Sequence, residues 1–273
     1  MTALTRRRFT AGGALALAGA VLGAPRRASA QAAPASAGPP DPALVEDLVA
    51  ANRILADQNV LDGYGHVSAR HDRDASRYLM SRSLAPALVT AADIMEYDLD
   101  SNPVDARGRA TFIERFIHGE IYKARADVRA VVHCHSPAII PFGVTGVPLR
   151  PLYHMSAFIW EGVPLFDIRD AAGGMTDMLV RSPALGRALA QTLDRRTVAL
   201  MRGHGAVIVG PSLPVAVFRS VYLETNARLQ AQAMAQSANV RYLAEEEARL
   251  AAASVAGTLG RPWELWKRKA LGK

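Results

Sequence analysis

The hydrophobic pattern of the chain alternates between two periods, which predicts helices interspersed with short strands. Apolar residues that recur every three to four positions indicate helices, and short apolar runs bounded by glycine or polar residues indicate strands. The predicted helices cover 42–59, 114–125, 183–193, 213–238 and 242–253. The predicted strands cover 65–70, 78–81, 94–99, 129–133, 197–201 and 206–209. This pattern locates the elements but does not give the order of the strands in a sheet.

Two histidines stand at the end of the strand predicted over 129–133. His133 and His135 are two positions apart, and residues at that spacing on a strand point to the same face. A third histidine, His204, lies between two glycines just after another apolar strand, and such glycines allow close approach of the backbone to a neighbouring group. Three neutral imidazoles with an open fourth position form the ligand set of a catalytic divalent metal. The alternative is ordinary polar positions at strand ends.

The first thirty residues differ in composition from the rest of the chain. A twin arginine in a basic segment, a short apolar run and the small residues Ala28-Ser29-Ala30 predict a twin-arginine signal peptide over 1–30 and a periplasmic protein. A retained N-terminal anchor is the alternative. Removal of the five arginines of this segment, which contains no acidic residue, lowers the net charge from +7 to +2. The basic pI therefore does not indicate nucleic-acid binding, and no membrane contact is expected after signal removal.

The remaining chain is predicted to hold a linker and one domain. Residues 31–42 are rich in alanine, proline, serine and glycine, which predicts a disordered linker. Residues 43–273 are long enough for a single domain with a substantial core. The one cysteine, Cys134, has no partner for an internal disulfide. Because it alternates with the two histidines on the strand, it is predicted to point to the opposite face as a buried packing residue.

A glutamate and a histidine four positions apart, Glu114 and His118, share one face of a predicted helix. By themselves they indicate an ordinary solvated helix face. Followed by Val131-Val132-His133-x-His135 and Gly203-His204-Gly205, however, they resemble the class II aldolase/adducin family in order, spacing and chemistry. The resemblance covers about 44–236. It implies an α/β fold, a three-layer αβα sandwich around a mixed, mostly antiparallel sheet.

The same resemblance implies a metal-dependent enzyme. In this family three histidines hold one divalent ion and a glutamate acts as acid/base, which points to His133, His135 and His204 as ligands and to Glu114 as acid/base. Zn²⁺, Mn²⁺ and Co²⁺ all suit such a ligand set. The resemblance also implies a homotetramer with sites between subunits. The tail residues Trp263 and Trp266 are predicted to dock onto the same chain or a neighbouring subunit.

Two segments depart from the sugar-phosphate aldolases of the family. Gly65-His66-Val67-Ser68 replaces Gly-Asn-Val-Ser, and Ser81-Arg82-Ser83-Leu84-Ala85-Pro86 replaces a Thr-Pro-x-Gly turn that cradles phosphate. The guanidinium of Arg82 is suited to bind a carboxylate bidentately. These segments resemble the decarboxylase branch of the family. That branch acts on hydroxylated aromatic or semialdehyde carboxylic acids, such as carboxy-muconic semialdehydes and a hydroxypyridine dicarboxylate.

The sequence therefore predicts a metal-dependent carbon–carbon lyase that decarboxylates a small carboxylic acid through a metal-bound enolate. The predicted substrate-binding residues are Arg82, Ser81, Ser83, Ser68, His66 and His154. His66 and His154 are also alternatives to Glu114 as the proton donor. A class II aldolase acting on a sugar or hydroxy acid is an alternative, and so is a dehydratase or epimerase using the same site. A non-enzymatic adducin-like binding module is disfavoured because all three histidines and the glutamate are present.

Overall fold

A seven-stranded mixed sheet lies at the centre of the fold in the computed structural model, which describes residues 33–272. The strands are β1 (His66–Arg70), β2 (Arg77–Ser81), β3 (Ile94–Asp98), β4 (Ala130–Cys134), β5 (Leu165–Phe166), β6 (Val198–Met201) and β7 (Gly205–Gly210). Their spatial order is β3-β2-β1-β4-β7-β6-β5. Neighbouring strands are antiparallel except for the pair β5–β6. The predicted signal peptide, 1–30, lies outside the described residues.

Helices cover both faces of the sheet. They are α1 (Pro42–Asp57), α2 (Phe116–Ala124), α3 (Phe142–Thr145), α4 (Ile168–Ala172), α5 (Pro183–Leu193), α6 (Leu213–Gln236), α7 (Glu245–Ala256) and α8 (Gly260–Leu271), with 3-10 turns at Pro86–Leu88, Ala91–Asp93, Ile113–Arg115 and His154–Ile159. Helices α1, α6 and α8 pack in one layer, and α2 and α5 pack in the other. The fold class expected from the sequence, α/β around a mixed and mostly antiparallel sheet, is thus confirmed.

Capping residues explain why several helices begin where the sequence predicts. Asp41 accepts a hydrogen bond from the backbone of α1, which has proline at its first position. Ser182 and Ser212 cap α5 and α6 in the same way, and each is followed within two residues by proline. Such caps satisfy backbone N–H groups that have no partner inside the helix, and proline fits the first turn because it has no N–H to lose.

The two layers divide the side chains of β4 between them. Val131 packs in the apolar cluster under α2 and α5, whereas Val132 and Cys134 pack in the cluster under α1 and α6. His133 shares the face of Val131 because side chains alternate along a strand. Cys134 is fully buried on the other face, as the sequence predicts. The metal-ligand candidates therefore face the α2 layer.

We expect Cys134 to be inert toward a thiol reagent in the folded protein. Burial raises the pKa of its thiol to about 12, whereas a free cysteine has a pKa of about 8.5 and is partly ionised at about pH 8. A colorimetric disulfide reagent should detect one thiol per chain after denaturation and none in native protein. Rapid reaction of the native protein would contradict the placement of this residue.

Two segments at the ends of the described chain are held by specific contacts. In the described part of the linker predicted over 31–42, Ser36 and the backbone of Ala37 donate hydrogen bonds to Glu96 of β3, at 2.6 and 2.7 Å. The tryptophan tail forms helix α8, an element absent from the predicted pattern. It docks on the same chain, where Lys267 pairs with Asp47 of α1 at 2.6 Å. Among the helices of residues 33–272, none combines the length and apolar character needed to cross a membrane.

Candidate active site

Two strand ends bring the three predicted ligands together. His133 and His135 leave the end of β4, and His204 occupies the turn between β6 and the adjacent β7. The Nε2 atom of His135 lies 3.1 Å from that of His133 and 3.0 Å from that of His204. A carboxylate oxygen, Oε2 of Glu114, lies 3.4 Å from Nε2 of both His133 and His204. The four residues converge on one point.

Backbone carbonyls fix the tautomers of two of these imidazoles. Nδ1 of His133 faces the carbonyl of Ala206 at 3.2 Å, and Nδ1 of His204 faces the carbonyl of Met178 at 3.0 Å. A carbonyl only accepts, so each Nδ1 carries the proton and each Nε2 presents a bare lone pair to the centre. Such bonds are the usual means by which a metal-binding histidine is oriented.

The separations between the donor atoms fit a tetrahedral ion. With Zn–N distances of about 2.0–2.1 Å, tetrahedral geometry places neighbouring donors roughly 3.3 Å apart. Four of the six separations among the histidine nitrogens and the glutamate oxygen are 3.0–3.4 Å and bracket this value, and all four atoms lie within 4.8 Å of one another. Converging lone pairs and a carboxylate repel one another unless a cation lies between them. This donor set therefore fits one divalent metal ion.

Glu114 is held at the edge of the cluster by the backbone. It lies in the 3-10 turn that precedes α2. Its backbone angles are non-helical, so its side chain does not follow the direction of a regular helix. Oε1 accepts a hydrogen bond from the N–H of Val180 at 2.9 Å, which leaves Oε2 facing the histidines. The predicted helix over 114–125 thus begins with a kink, and the predicted solvated face is buried.

The charges of the cluster shift its pKa values in opposite directions. Burial alone raises the pKa of Glu114, but the adjacent imidazoles of His133 and His204 outweigh it and lower that pKa below its ordinary value. Burial, together with His133, lowers the pKa of His135 to about 4. For His204, burial is outweighed by the hydrogen bond to Glu114, which raises the pKa. A carboxylate beside a neutral His135 is the state in which these groups can hold a cation.

The segment between α4 and α5 positions two of the four residues through its backbone. Met178 accepts from His204 and Val180 donates to Glu114, and Leu179 between them lines the neighbouring cavity. The sequence analysis missed this role because backbone groups leave no signature in residue type. The only signal was the glycine-rich stretch that begins the segment.

Gly205 permits the close approach of the two strand ends. A Cβ atom at this position would lie 1.9 Å from the carbonyl oxygen of Cys134. Only glycine lets the His204 turn come this near to the end of β4. The flanking glycines of the Gly-His-Gly turn therefore have the purpose that the sequence suggested.

We expect Gly205→Ala to push the two strand ends apart and weaken the site. The overpacking should destabilise the fold by about 1–3 kcal/mol or more, and bound metal should fall because His204 is displaced. Thermal unfolding and metal analysis of the purified variant measure both effects. Gly146→Ala is the matched control, since a Cβ there meets no atom within 4 Å although its φ is also positive. Wild-type stability and metal content for Gly205→Ala would contradict the argument.

A cavity of about 430 Å³ opens beside the cluster. Its walls include the aromatic and aliphatic side chains of Tyr64, Phe112 and Ile113. Polar groups enter it from one side, namely His66, Ser83, Thr111, Glu114 and His135. This volume is in the usual range for small-molecule sites, and mostly apolar walls with a few convergent polar groups are typical of them.

The structure brings only some of the predicted substrate-binding residues to this cavity. His66 and Ser83 line it. Arg82 does not, because its Nε donates to Asp93 at 2.6 Å and draws the guanidinium into an ion pair.

Three further residues predicted to contact substrate lie outside the wall of this cavity. Ser81 is fully buried, its hydroxyl has no hydrogen-bond partner in the described structure, and it lies outside the cavity wall. Ser68 is also fully buried, and its hydroxyl lies 2.6 Å from Nδ1 of His118 in α2. His154 lies in the 3-10 turn His154–Ile159 and lines a different cavity, between that turn and helices α6 and α7. Packing against distant segments, which the residue types do not reveal, separates these side chains from the cavity.

A buried chain of hydrogen bonds runs from the cavity wall into the α2 layer. Nδ1 of His66 lies 2.6 Å from Nε2 of His118, and Nδ1 of His118 lies 2.6 Å from the hydroxyl of Ser68. That hydroxyl lies 2.8 Å from the hydroxyl of Tyr122. Burial and the neighbouring His133 lower the pKa of His118 to about 3, and burial holds the pKa of His66 well below its usual value. Both rings are therefore neutral.

Comparison with known proteins identifies the family. The family described as Class II Aldolase and Adducin N-terminal domain matches residues 46–231. The chain belongs to the class II aldolase and adducin family. The decarboxylase tropJ of Talaromyces stipitatus is 37% identical over 247 residues, which cover 82% of this chain and 93% of that protein. The 3,4-dihydroxyphthalate decarboxylase of Arthrobacter keyseri is 32% identical over 201 residues, which cover 68% and 77% of the two chains.

A solved class II aldolase structure shares the fold. L-fuculose 1-phosphate aldolase from Glaciozyma antarctica PI12 matches with a TM-score of 0.71 at 23% identity, covering 86% of this chain and 96% of that one. At that identity the likeness shows the fold alone. The recognition of this family and of its decarboxylase-like relatives from sequence is confirmed, and an enzyme with a possible metal site is supported.

Proposed function

We propose that this class II aldolase and adducin family member is a divalent-metal-dependent decarboxylase of a hydroxylated carboxylic acid. The observation that carries the proposal is the convergence of His133, His135, His204 and Glu114, whose ligand atoms lie within 4.8 Å of one another, beside a partly aromatic cavity. The relatives named as decarboxylases, one at 37% identity over most of both chains, support the reaction type. The aromatic walls and the substrate named for the Arthrobacter protein support a hydroxylated aromatic acid.

Decarboxylation requires a place for the electron pair that remains when the bond to CO2 breaks. The ion held by His133, His135 and His204 would act as a Lewis acid that polarises a substrate hydroxyl or keto oxygen, which contributes several kcal/mol of charge stabilisation. The chain supplies the geometry, because carbonyls of Ala206 and Met178 aim two of the ligands. His133 and Glu114 are buried, and burial strengthens electrostatic interactions at these two groups.

Glu114 has the position of an acid/base. Its Oε2 lies 3.4 Å from Nε2 of both His133 and His204, and its Oε1 accepts a hydrogen bond from the N–H of Val180. A carboxylate in this position can accept the proton of a substrate hydroxyl and later return a proton to the carbon that lost CO2. General acid–base catalysis of this kind contributes about 10²–10⁴-fold.

The substrate carboxylate is the group that departs, so it needs orientation more than tight binding. Ser83, at the cavity wall, replaces the predicted Arg82 as the nearest candidate for that contact. This assignment follows from the position of Arg82, which lies outside the cavity wall with its Nε paired to Asp93.

A panel of substrates tests the proposal. Purified protein would be supplied with hydroxylated aromatic mono- and dicarboxylic acids, semialdehyde carboxylic acids, sugar acids and sugar phosphates, and CO2 and aldehydes would be measured separately. Release of CO2 from a hydroxylated acid, lost on treatment with a chelator, is the expected result. An aldehyde from a sugar substrate with no CO2 from any acid would replace the proposal with an aldolase.

A further inference from the structure

The hydrogen-bond chain behind His66 has no role in the reaction as described so far. It joins a residue of the cavity wall to three groups that substrate cannot reach, since Ser68, His118 and Tyr122 are at most 2% exposed. A buried polar network of this kind is costly unless every member is satisfied. The donor and the acceptor of each hydrogen bond in this chain can be assigned atom by atom.

The far end of the chain sets the direction of the bonds. Within residues 33–272 the buried phenol of Tyr122 has one hydrogen-bond partner, the hydroxyl of Ser68, at 2.8 Å. A buried O–H without an acceptor is costly, so the phenol proton is directed to Ser68. Ser68 in turn uses its own proton as donor to Nδ1 of His118 at 2.6 Å.

The direction then passes through the two imidazoles. A neutral His118 that accepts at Nδ1 carries its proton on Nε2, and that N–H donates to Nδ1 of His66 at 2.6 Å. His66 that accepts at Nδ1 must carry its proton on Nε2. This is the opposite tautomer from that of His133 and His204, whose protons lie on Nδ1. The site therefore presents bare nitrogens to a cation and one N–H donor to the cavity.

We infer that His66 donates a hydrogen bond from Nε2 to a substrate oxygen on which negative charge accumulates, and that His118, Ser68 and Tyr122 are positioning residues that keep the proton on that nitrogen. The inference rests on the proposed function, because it assumes a reaction that builds negative charge beside His66. The ring of His66 is centred 5.1 Å from that of His133, so its donor lies beside the cluster that would hold the ion. Two sources of positive potential would then meet the same charge.

The tautomer can be measured without turnover. Protein containing ¹⁵N-labelled histidine and loaded with Zn²⁺ has seven histidines to resolve by NMR, and His66 is assigned by its absence in His66→Phe. The expected result is a proton on Nε2 of His66 in wild type, and loss of that fixed tautomer in Ser68→Ala. A proton on Nδ1 of His66 in wild type, or a wild-type tautomer in Ser68→Ala, would overturn the inference.

Kinetics test what the tautomer does. His66→Phe should lower kcat by roughly 10²–10³-fold, the range found for removal of a donor to a developing oxyanion, with KM nearly unchanged. Ser68→Ala should lower kcat by about tenfold or more, and Ser68→Thr, which keeps the hydroxyl, should restore it. Ser220→Ala is the matched control, a fully buried serine whose hydroxyl bonds only within α6. A rise in KM with unchanged kcat would overturn the inference in favour of ground-state binding.

The two measurements separate this inference from the proposed function. If no acid in the panel releases CO2, binding of 2,3-dihydroxybenzoate to the Zn²⁺-loaded protein still tests the donor, through a shift of the His66 Nε2–H resonance in wild type. An unshifted resonance in the bound protein would overturn the inference by itself. If CO2 is released while the proton lies on Nδ1, the decarboxylase stands and only the role of His66 fails.

Discussion

His204→Ala is expected to lose bound divalent metal and with it at least about 10³-fold in kcat/KM. The substitution removes one of three nitrogens that converge within hydrogen-bonding distance of one another, and the remaining two cannot complete a tetrahedral set. Several kcal/mol of charge stabilisation are lost with the ion, and each 1.36 kcal/mol corresponds to a factor of ten. Metal analysis of the purified variant and its rate on the best acid of the panel measure both losses.

Thermal unfolding gives an independent test of whether His204→Ala has lost the metal. An ion that binds only the folded state raises its stability by mass action, so added Zn²⁺ should raise the Tm of wild type and leave that of His204→Ala unchanged. His71→Gln is the control, because His71 is fully buried but lies beyond the end of β1 and bonds to Gly38 and Arg73. Full metal occupancy in His204→Ala would remove this histidine from the ligand set.

Glu114→Gln is expected to keep the metal and lose about 10²–10⁴-fold in kcat. Glutamine has nearly the same shape and can still accept the hydrogen bond from Val180, so the site should remain assembled. It cannot take or return a proton, which is the contribution assigned to general acid–base catalysis. Steady-state rates with the reconstituted variant, together with its metal content, provide the measurement.

Glu120→Gln is the matched control for that substitution. Glu120 is also buried, six positions further along the chain in α2, but it pairs with Lys123 and Arg187 and is not one of the converging residues. Its variant should retain the wild-type rate. If Glu114→Gln kept full turnover, Glu114 would have no part in proton transfer, and loss of metal in this variant would make it primarily a ligand.

The ligand set was accessible from the sequence because each histidine carries a local signature. Two-residue spacing at a strand end places His133 and His135 on one face, and flanking glycines single out His204. Helix caps at Asp41, Ser182 and Ser212 similarly locate three helix starts. In each case the interactions that fix the local structure act within a few residues, so the local sequence pattern is sufficient to predict it.

The surroundings of the site were not accessible because they depend on contacts between distant segments. The ion pair of Arg82 with Asp93 requires the turn before β3, and the burial of Ser68 requires α2 to lie across β1. The backbone groups of Met178 and Val180 leave no trace in residue type. The irregular segment over 148–156 is likewise held by α6. Asn226 and Gln230 of this helix form hydrogen bonds with the backbone of the segment, which explains why polar residues interrupt the apolar positions of the helix.

The most direct test of a metal-dependent decarboxylase is CO2 release by one preparation in three states: as purified, after removal of metal by a chelator, and after addition of Zn²⁺, Mn²⁺ or Co²⁺. We expect release of CO2 from a hydroxylated carboxylic acid, its loss on chelation, and its recovery with at least one of the three ions in proportion to the metal bound. CO2 release that continues undiminished in metal-free protein would show that the reaction does not depend on a bound metal.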